Sequence, residues 1–518
     1  MASLIKTSEA ASAGAHRPYV CLITPPSSFL LDERVFVSLG ILKVAASLES
    51  QGYGVNFLDL SGIENYVAAL SHYIAGCRDA AVGITATTPQ LPAVIKIAKA
   101  IREIRPDLKL ILGGPHVTLV YSALALERKK GIVGGRAHRA AEHLERCFDV
   151  LCSGDGELAI FEALRTDAPK LVDGDDPKGG LFLTDDMFTN SPSPARHLVD
   201  LRSYRYEIEG HRATSLIGQL GCPFNCGFCG GRNSKSLRVT RNRSVASIVS
   251  EVEALHRDYG FTGFMFYDDE LNVSKSMIQL MDGLSDLQSR LGVEFRLRGF
   301  VKAELFTEGQ ARAMRRAGFR WLLTGFEAAH PRILTNINKR ASREDNDACV
   351  AIARKHGLKV KALMSVGHPG ETEESIGAIS EWLVANEVDD FDCSVITTYP
   401  GTPYYDQAVP HPTEPNVWTY TQPTTGDRLH AYDVDYSTSA QYYKGDPDGG
   451  YQAFVFTDAL SATRIVQLRD LVEREVRAKL NIPFNQGAAA MRYEHSMGQG
   501  LPDFIHRAAK AGMRAPFA

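Results

Sequence analysis

Three cysteines, Cys222, Cys226 and Cys229, stand in CxxxCxxC spacing within a loop of glycine, proline and asparagine. The loop follows an apolar run, residues 214–220, that we expect to form a strand. A four-iron cluster takes one cysteine sulfur per iron, so three cysteines leave one iron open to a ligand that is not protein. The spacing therefore predicts a reactive iron–sulfur site.

Two other interpretations of these cysteines are a structural zinc site and a chance grouping of buried thiols. Zinc in a closed site takes four nitrogen or sulfur ligands, usually in two spaced pairs. No second pair follows here, because Cys349 and Cys393 are single and distant. The iron–sulfur interpretation is therefore favoured.

The cysteine spacing and the strand before it resemble the radical S-adenosylmethionine (radical SAM) superfamily. In that superfamily the amino acid end of S-adenosylmethionine binds the fourth iron, and electron transfer from the cluster releases a 5′-deoxyadenosyl radical. The resemblance implies a 4Fe–4S cluster and S-adenosylmethionine as cofactors, with an external electron donor of the flavodoxin or ferredoxin type. It makes the three cysteines both metal ligands and catalytic residues.

The elements that must position this loop are strand–helix units between residues 206 and 405. Strands are predicted at 214–220, 263–267, 295–300, 321–325, 360–365 and 393–398, and helices at 245–258, 275–291, 307–317, 343–356 and 373–385. Six units are too few for an eight-fold barrel and resemble the partial (β/α)6 barrel of radical SAM enzymes. Barrel active sites lie at the C-terminal ends of the strands.

Polar residues at those strand ends are candidate contacts for S-adenosylmethionine. Asp268 and Asp269, after the second strand, could bind a divalent metal or cap a helix. The resemblance instead implies that they accept hydrogen bonds from the methionine amino group. Glu327, after the fourth strand, lies where the family binds ribose hydroxyls. The family usually has serine next, and this chain has Ala328.

Further segments match the family in order along the chain. The resemblance extends the S-adenosylmethionine contacts to Phe228 and to Gly367, which opens a GHPGET segment. Two roles are open for Glu371 in that segment: it either has a structural role or contacts ligand. Residues 339–340 form a basic pair, and residues 399–403 form a YPGTP turn like that of the family.

Residues 18–165 alternate short β-branched runs with helical ones. Strands are predicted at 19–24, 55–60, 81–85, 108–112 and 149–152, and helices at 38–51, 63–77, 91–104 and 156–164. This alternation predicts a doubly wound, Rossmann-like and mainly parallel sheet, whose ligand lies beyond the carboxyl ends of the strands.

The loops at those carboxyl ends are rich in glycine and small residues, which leave room for a large flat ligand. A plain flavodoxin-like packing domain is the alternative. Placed before a radical SAM loop, the segment resembles the cobalamin-binding domain of cobalamin-dependent radical SAM enzymes. The contacts that this resemblance implies are Pro25, Ser27, Ser28, Asp59, Thr85, Gly113, Gly114, His116, Gly154 and Gly156.

One departure from better-known cobalamin domains concerns the lower ligand of cobalt. Their DxHxxG loop supplies a histidine, whereas this chain has Ser61 in that position, two residues after Asp59. Cobalamin is therefore expected base-off, without a histidine from that loop. His116 is the nearest alternative, although a histidine in that context is more often a hydrogen bonder.

Residues 166–205 have the composition of a linker. Residues 406–518 form a small C-terminal region expected to be α-rich, with one amphipathic helix over 461–480. An aromatic segment, 430–451, either closes over the barrel and contacts substrate or forms surface loops, with equal weight.

Composition narrows the class of protein. The chain has 518 residues, 44% of them apolar, and a formal net charge of −4, which gives no sign of a nucleic-acid or membrane surface. No long apolar run or signal peptide is evident, so we expect a cytoplasmic protein. The six cysteines outside the loop are expected in the core.

The favoured function is a cobalamin-dependent radical SAM methyltransferase acting on an unactivated carbon of a small metabolite in a biosynthetic pathway. It would use two molecules of S-adenosylmethionine per product, one as methyl donor and one as radical source. The alternative is a radical SAM enzyme that catalyses rearrangement, cyclisation or C–C bond formation. A cobalamin or iron–sulfur sensor is a third class, disfavoured by the matched nucleoside-contact motifs.

Overall fold

Two seven-stranded sheets carry the candidate sites at their strand ends. The computed structural model describes residues 5–7, 18–27, 30, 33–440 and 452–484. The strands of the first sheet are β1 (Ile5–Thr7), β2 (Tyr19–Thr24), β3 (Gly54–Asp59), β4 (Ala81–Thr85), β5 (Lys109–Gly113), β6 (Val150–Gly154) and β7 (Leu171–Gly174).

The first sheet has the order β1-β3-β2-β4-β5-β6-β7. Strand β1 pairs antiparallel with β3, and the other neighbours are parallel. The predicted doubly wound sheet is confirmed. Because the chain turns from β2 to β3 on one side and to β4 on the other, the switch point lies between β2 and β4, where such sheets bind ligands.

Helices cover this sheet. They are α1 (Leu39–Ser50), α2 (Tyr66–Gly76), α3 (Leu91–Ile104), α4 (Pro115–Lys129), α5 (Arg136–Cys147) and α6 (Gly156–Leu164). The sequence pattern did not predict α4 and α5. In α4 the first turns are buried all round, from His116 to Leu124, so no polar face marks the helical period.

The segment expected as a linker, residues 166–205, holds regular structure as well. Strand β7 pairs in parallel with β6 and so extends the first sheet. A short helix, α7 (Asp185–Asn190), follows it.

The second sheet begins where the linker segment ends. In chain order the strands are β8 (Tyr206–Ile208), β9 (His211–Leu216), β10 (Gln219–Leu220), β11 (Arg241–Asn242), β12 (Gly263–Phe266), β13 (Arg296–Phe300), β14 (Phe319–Glu327), β15 (Lys359–Val366) and β16 (Asp390–Val395). The sheet order is β16-β15-β14-β13-β12-β9-β8, and β10 and β11 form a separate ribbon. Six consecutive parallel strands confirm the partial barrel.

The barrel helices lie close to their predicted positions. They are α8 (Val245–Tyr259), α9 (Met277–Leu291), α10 (Glu308–Ala317), α12 (Arg343–Lys355) and α13 (Glu373–Ala385). A short additional helix, α11 (Pro331–Asn336), was not predicted. Thr372 caps α13, because its hydroxyl accepts from the backbone N–H of Ser375 at 3.2 Å. The strand predicted at 393–398 lies earlier, at β16.

The C-terminal region contains more sheet than its sequence predicts. A short helix, α14 (Pro403–Asp406), is followed by the antiparallel strands β17 (Val409–Pro410), β18 (Val417–Thr421), β19 (Arg428–Tyr432) and β20 (Val455–Phe456). The predicted helix is present as α15 (Ala462–Leu480). Residues 441–451 of the predicted aromatic segment lie outside the described residues.

Helix α15 covers the exposed edge of the barrel sheet. The Glu473 carboxylate accepts the N–H of Cys393 at 2.7 Å, and the Arg469 guanidinium donates to the Cys393 carbonyl at 2.7 Å. Arg477 donates to the carbonyl of Phe391. These side chains satisfy backbone groups that an edge strand would otherwise present for pairing. Within the described residues, no helix combines the length and apolarity needed to cross a membrane.

Candidate active site

The cysteine loop is a long excursion between β10 and β11. The two strands pair antiparallel and close the base of the loop, with Leu220 opposite Arg241. Gly221 starts the loop with φ +79°, and a Cβ there would lie 2.3 Å from the carbonyl oxygen of Val239. Only glycine fits this approach, so the GC start of the motif is set by backbone packing as well as by chemistry.

Two later loops of the barrel hold the cysteine loop in place. The Gly227 N–H donates to the carbonyl of Ile337 at 2.8 Å, and the Tyr404 N–H donates to the carbonyl of Gly227 at 3.3 Å. The Asn338 amide donates to the carbonyl of Asn225 at 2.8 Å. The loop after α11 and the YPGTP turn therefore fix the loop between its cysteines.

Burial and the charge of Arg232 act on the pKa of all three thiols. Burial raises the pKa of Cys229 to about 12, and charge on Cys226 and Cys222 acts in the same direction. Burial also raises the pKa of Cys222 and of Cys226, while Arg232 lowers the pKa of all three. Thiols of this kind ionise readily only when a cation binds them.

The chemistry of three cysteine ligands suits an iron–sulfur cluster. Among the described residues, no three His, Cys, Asp or Glu side chains come together closely enough to hold one metal ion. In an iron–sulfur cluster each thiolate binds its own iron, so the sulfurs are spread around the cluster. The surrounding cations favour a ligand set that carries several negative charges.

Two buried lysines lie against the cysteine loop. Lys302 stands 4.2 Å above the ring of Phe224 and donates to the carbonyl of Lys339 at 3.2 Å. Both lysines lower the pKa of Cys226, against the larger opposing effect of burial. Lys339 belongs to the predicted basic pair. Lys302 was missed, although its position two residues after β13 is a strand-end signal.

Glu327 stands at the centre of a hydrogen-bonded chain. Its backbone has φ +67°, and its carboxylate lies 3.2 Å from Nζ of Lys339 and accepts from Oγ of Ser365 at 2.7 Å. Ser365 also bonds to Nε2 of His368 at 2.8 Å. Ser365 was not predicted, and it brings to Glu327 a hydroxyl that Ala328 does not supply.

His368 is fully buried, and burial lowers its pKa to about 3. It is therefore neutral, and its Nδ1 has no hydrogen-bond partner in the described part of the chain. The ring of Phe228 lies 5.5 Å from the His368 ring, edge on. The turn that begins at Gly367 thus lies against Phe228 of the cysteine loop.

The carboxylate of Glu371 accepts hydrogen bonds from the backbone of its own turn. Its carboxylate accepts from the N–H of His368 at 3.0 Å and from the N–H of Gly367. Burial raises its pKa to about 7. Of the two roles left open for Glu371, the structure supports the structural one.

Asp268 and Asp269 differ in their surroundings. Asp268 is buried and accepts from the N–H of Gly218 at 2.7 Å, so it ties the end of β12 to the turn before β10. Burial raises its pKa to about 7. Asp269 is exposed, but the surrounding protein raises its pKa and Arg232 opposes this. The Asp269 carboxylate is therefore more accessible to a ligand than that of Asp268, which is 2% exposed.

The second candidate site lies on the carboxyl edge of the first sheet. Pro25 and Ser27 follow β2, and Thr85 ends β4, on either side of the switch point. Gln90 joins the two, because its amide donates to the Ser27 hydroxyl at 3.0 Å and to the Pro25 carbonyl at 3.4 Å. Ser28 lies outside the described residues.

The carboxylate of Asp59 forms hydrogen bonds and an ion pair with neighbouring residues. Its carboxylate accepts from the Tyr204 hydroxyl at 2.8 Å and the Ser61 N–H at 3.1 Å, and lies 3.3 Å from the Arg34 guanidinium. A structural role in holding the loop after β3 therefore accounts for this residue.

His116 is 2% exposed, and its Nδ1 bonds to the hydroxyl of Thr88 at 3.0 Å. Burial lowers its pKa to about 4. The residue therefore acts as a hydrogen bonder at the start of α4. Gly113 is at the end of β5 beside it.

The remaining glycines are explained in part by backbone contacts. A Cβ on Gly114 would lie 2.6 Å from the Thr85 hydroxyl, and one on Gly154, which has φ +73°, would lie 2.3 Å from the backbone of Gly174. A Cβ on Gly156 would lie 2.9 Å from Val44. At these positions the absence of a side chain allows the loops at the carboxyl ends of the strands to pack closely.

Comparison with known proteins decides the family. Residues 216–383 match the radical SAM superfamily, and residues 33–145 match the B12 binding domain. The chain belongs to the cobalamin-dependent radical SAM enzymes. Its cofactors are therefore a 4Fe–4S cluster, S-adenosylmethionine and cobalamin, as the sequence predicts.

Relatives of this cobalamin-dependent radical SAM enzyme include methyltransferases and a cyclase. An uncharacterized methyltransferase of Pyrococcus horikoshii is 27% identical over 412 residues, covering 75% of this chain and 83% of that protein. An anaerobic magnesium-protoporphyrin IX monomethyl ester cyclase of Cereibacter sphaeroides is 24% identical, covering 70% and 59%. A bacteriochlorophyllide d C-12(1)-methyltransferase of Chlorobaculum tepidum is 27% identical, covering 37% and 42%.

Solved structures support the same fold for this radical SAM enzyme. The radical SAM methyltransferase TsrM of Kitasatospora setae, solved with cobalamin and a [4Fe–4S] cluster, superposes with a TM-score of 0.64 at 18% identity. The superposition covers 96% of this chain and 96% of the TsrM chain. The cobalamin-dependent radical enzyme OxsB superposes with a TM-score of 0.55 at 14% identity, covering 75% of this chain and 55% of OxsB.

Proposed function

We propose that the protein is a methyltransferase that moves a methyl group from S-adenosylmethionine to an unactivated carbon of a small molecule in a biosynthetic pathway. The observation that carries the proposal is the contact between the two cofactor domains. A Cβ on Gly230, directly after Cys229, would lie 3.0 Å from Leu119 of α4 in the B12-binding domain. The cysteine loop therefore lies against the domain that binds the methyl carrier.

The cofactors supply radical formation and methyl transfer, and the protein supplies position. Cys222, Cys226 and Cys229 would hold three irons of the cluster. Asp269 would accept from the amino group of S-adenosylmethionine, with Asp268 holding the turn beside it. Glu327, fixed by Lys339 and Ser365, would accept from the ribose hydroxyls.

Phe228 and Gly367 would line the same S-adenosylmethionine site. On the other side, the strand-end loops of the first sheet would hold cobalamin through backbone and small side chains. An external protein of the flavodoxin or ferredoxin type would supply electrons. Substrate would lie between the two halves. We propose residues 18–165 as the cobalamin-binding domain, with strand β7 and the following Asp175 added to that half, and residues 206–405 as the barrel half.

The cluster assignment has its own test. Anaerobically reconstituted protein should hold about four irons and show thiolate-to-iron absorption. The triple alanine variant of Cys222, Cys226 and Cys229 should lose this absorption and the reductive cleavage of S-adenosylmethionine. Full iron content and cleavage in that variant would place the cluster elsewhere.

The methyl-transfer assignment is tested by the coproducts. With a true substrate, the enzyme should release S-adenosylhomocysteine and 5′-deoxyadenosine in near-equal amounts, because one S-adenosylmethionine donates methyl and another starts the radical. Substrate screening begins with tryptophan, which is bound in one TsrM structure, and with magnesium porphyrins, named for the cyclase relative.

Other coproduct patterns would separate the alternatives. 5′-Deoxyadenosine without S-adenosylhomocysteine, and a product of unchanged or lower mass, would indicate rearrangement, cyclisation or C–C bond formation. A methylated product with S-adenosylhomocysteine alone would mean that carbon is methylated without a radical step. Either result would contradict the proposed reaction and leave the family assignment intact.

A further inference from the structure

The chain that leaves the cysteine loop, residues 232–241, folds back along it, and we call it the exit segment. The N–H of Cys222 donates to the carbonyl of Leu237 at 3.1 Å. The Arg238 guanidinium donates to the carbonyl of Pro223 and to the side-chain oxygen of Asn225, both at 3.0 Å. The shape of the cysteine loop therefore depends on where the exit segment lies.

A carboxylate of the B12-binding half holds the exit segment. Asp175 follows β7 of the first sheet. Its Oδ1 accepts from the Ser234 hydroxyl at 2.7 Å, the Ser236 N–H at 2.7 Å and the Ser236 hydroxyl at 2.6 Å. Its Oδ2 accepts from the N–H of Lys235 at 3.2 Å. Four donors from three consecutive residues thus converge on one side chain from the other half of the molecule.

A second carboxylate holds the end of the exit segment. Asp155, directly after Gly154, forms a buried ion pair with Arg241 and accepts from the N–H of Leu183 at 2.8 Å. Arg241 in turn donates to the carbonyl of Ser236 at 2.7 Å. Charge-assisted hydrogen bonds of this kind are the strong ones. Asp155 and Asp175 therefore fix both ends of the exit segment.

The two carboxylates are also joined to the candidate cobalamin edge. Gly154 precedes Asp155, Gly174 precedes Asp175, and a Cβ on Gly154 would lie 2.3 Å from the backbone of Gly174. The Asp155 N–H donates to the Gly174 carbonyl at 3.4 Å. A ligand that orders this edge therefore orders both carboxylates, and the cysteine loop with them.

We propose that Asp175 and Asp155 are positioning residues that couple corrinoid binding to cluster binding, although neither touches either group. The proposal rests on the cluster site assigned above and does not depend on methyl transfer. Coupling is reciprocal, so a bound cluster tightens corrinoid binding by the same factor by which corrinoid tightens the cluster.

The test measures hydroxocobalamin affinity in the full-length protein with and without a reconstituted cluster. Wild type should bind hydroxocobalamin about 5-fold tighter or more when the cluster is present, and Asp175→Ala should bring this ratio close to one. Asp176→Ala is the matched control, because exposed Asp176 accepts from Lys178 in its own turn. It should keep the wild-type ratio.

A second readout separates positioning from stability alone. Asp175→Ala should change the electron paramagnetic resonance line shape of the reduced cluster and lower iron retention, whereas Asp176→Ala should change neither. If Asp175→Ala does not fold, the double variant Ser234→Ala and Ser236→Ala removes two hydroxyl donors and keeps the carboxylate. A wild-type ratio and line shape in whichever of these variants folds would overturn the proposal.

These outcomes are distinguishable from failure of the proposed function. Absence of methylated product with any substrate would leave the affinity ratio and the line shape unaffected. Iron retained by the triple cysteine variant would remove the cluster site itself, and would be seen before any of the coupling measurements.

Discussion

At the scale of single residues, the contacts of Glu327 lead to a prediction about affinity for S-adenosylmethionine. Glu327→Gln removes the charge that Lys339 and Ser365 hold in position. Hydrogen bonds to charged groups contribute about 1.5–3 kcal/mol, so affinity for S-adenosylmethionine should fall about 10- to 100-fold. Equilibrium dialysis with labelled S-adenosylmethionine measures it on reconstituted protein.

Iron content should remain at the wild-type value in Glu327→Gln, since the proposal gives this residue no cluster contact. Glu374→Gln, an exposed change on α13, is the control and should leave affinity unchanged. Equal affinity in wild type and Glu327→Gln would remove Glu327 from the binding site.

Glu371 makes a prediction about pH. Burial raises its pKa from 4.5 to about 7, so the folded protein binds this proton more tightly than the unfolded chain does. The free energy of unfolding therefore falls as pH rises from about 4.5 to 7. Glu371→Gln should remove its share of that fall, up to about 3 kcal/mol, in urea unfolding of cluster-free protein.

Other carboxyls, such as buried Asp268 and partly buried Asp406, have pKa values raised by desolvation and follow the same trend. The informative quantity is therefore the difference between wild type and variant at each pH. Glu374→Gln again serves as the control. If the free energy of unfolding changes with pH in the same way in wild type and Glu371→Gln, then the folded state does not raise the pKa of Glu371.

The sequence could predict the residues that are read from a motif, and these include the cysteines, Glu327 and the GHPGET turn. It could not predict Ser365, because this serine lies on a neighbouring strand 38 residues from Glu327. Lys302 follows β13 by two residues, which is a strand-end signal, but its contact with Phe224 of the cysteine loop forms only in the folded chain. Partners that come from other strands have no spacing signal in the chain.

At the scale of elements, α15 and β16 are joined by a buried charge network. Glu473 accepts from Cys393 and from Arg477, each at 2.7 Å, and both Glu473 and Arg477 are fully buried. Glu473→Ala would remove one carboxylate from Arg477 and Arg469, which keep Asp390 and Asp470, and would leave the N–H of Cys393 without its acceptor. Because removing one partner of a buried pair costs about 3–5 kcal/mol when no other partner remains, we expect a loss of up to about 3 kcal/mol.

Urea unfolding measures this loss, with Glu475→Ala on the exposed face of the same helix as the matched control. The control should change the free energy of unfolding by no more than about 0.5 kcal/mol. Equal effects of the two substitutions would mean that α15 does not close the sheet edge through these side chains.

Elements with a clear period were predictable, and those without one were not. Residues 245–258 and 373–385 have regular apolar spacing and fold as α8 and α13. Helix α4 has no polar face over its first turns. Strands β17 and β20 have two residues each, and β17 contains Pro410, so neither length nor pattern marks these two.

At the scale of the whole molecule, the two halves form one structure. A continuous buried apolar cluster includes Leu22 and Ile111 of the first sheet and Leu216 and Phe264 of the second. Arg136 of α5 lies between the rings of Tyr405 and Trp418, 3.8 and 3.9 Å from them. The two halves therefore share one core, which sequence patterns within each half could not show.

The corrinoid prediction belongs to this scale, because it concerns the cofactor of the whole B12-binding half. Ser61 replaces the loop histidine, and His116 is buried against Thr88. Electron paramagnetic resonance of the bound Co(II) form should therefore lack nitrogen superhyperfine splitting. Free base-on cobalamin is the positive control. Splitting that disappears in His116→Ala would identify His116 as a cobalt ligand.

The most direct test of the account is the fate of the methyl group of S-adenosylmethionine. With methyl-deuterated S-adenosylmethionine and a true substrate, we expect a product whose mass increases by one trideuteromethyl group in place of one hydrogen. Nuclear magnetic resonance should place that group on carbon. A product without deuterium, or with the label on nitrogen, oxygen or sulfur, would contradict the proposed carbon methylation.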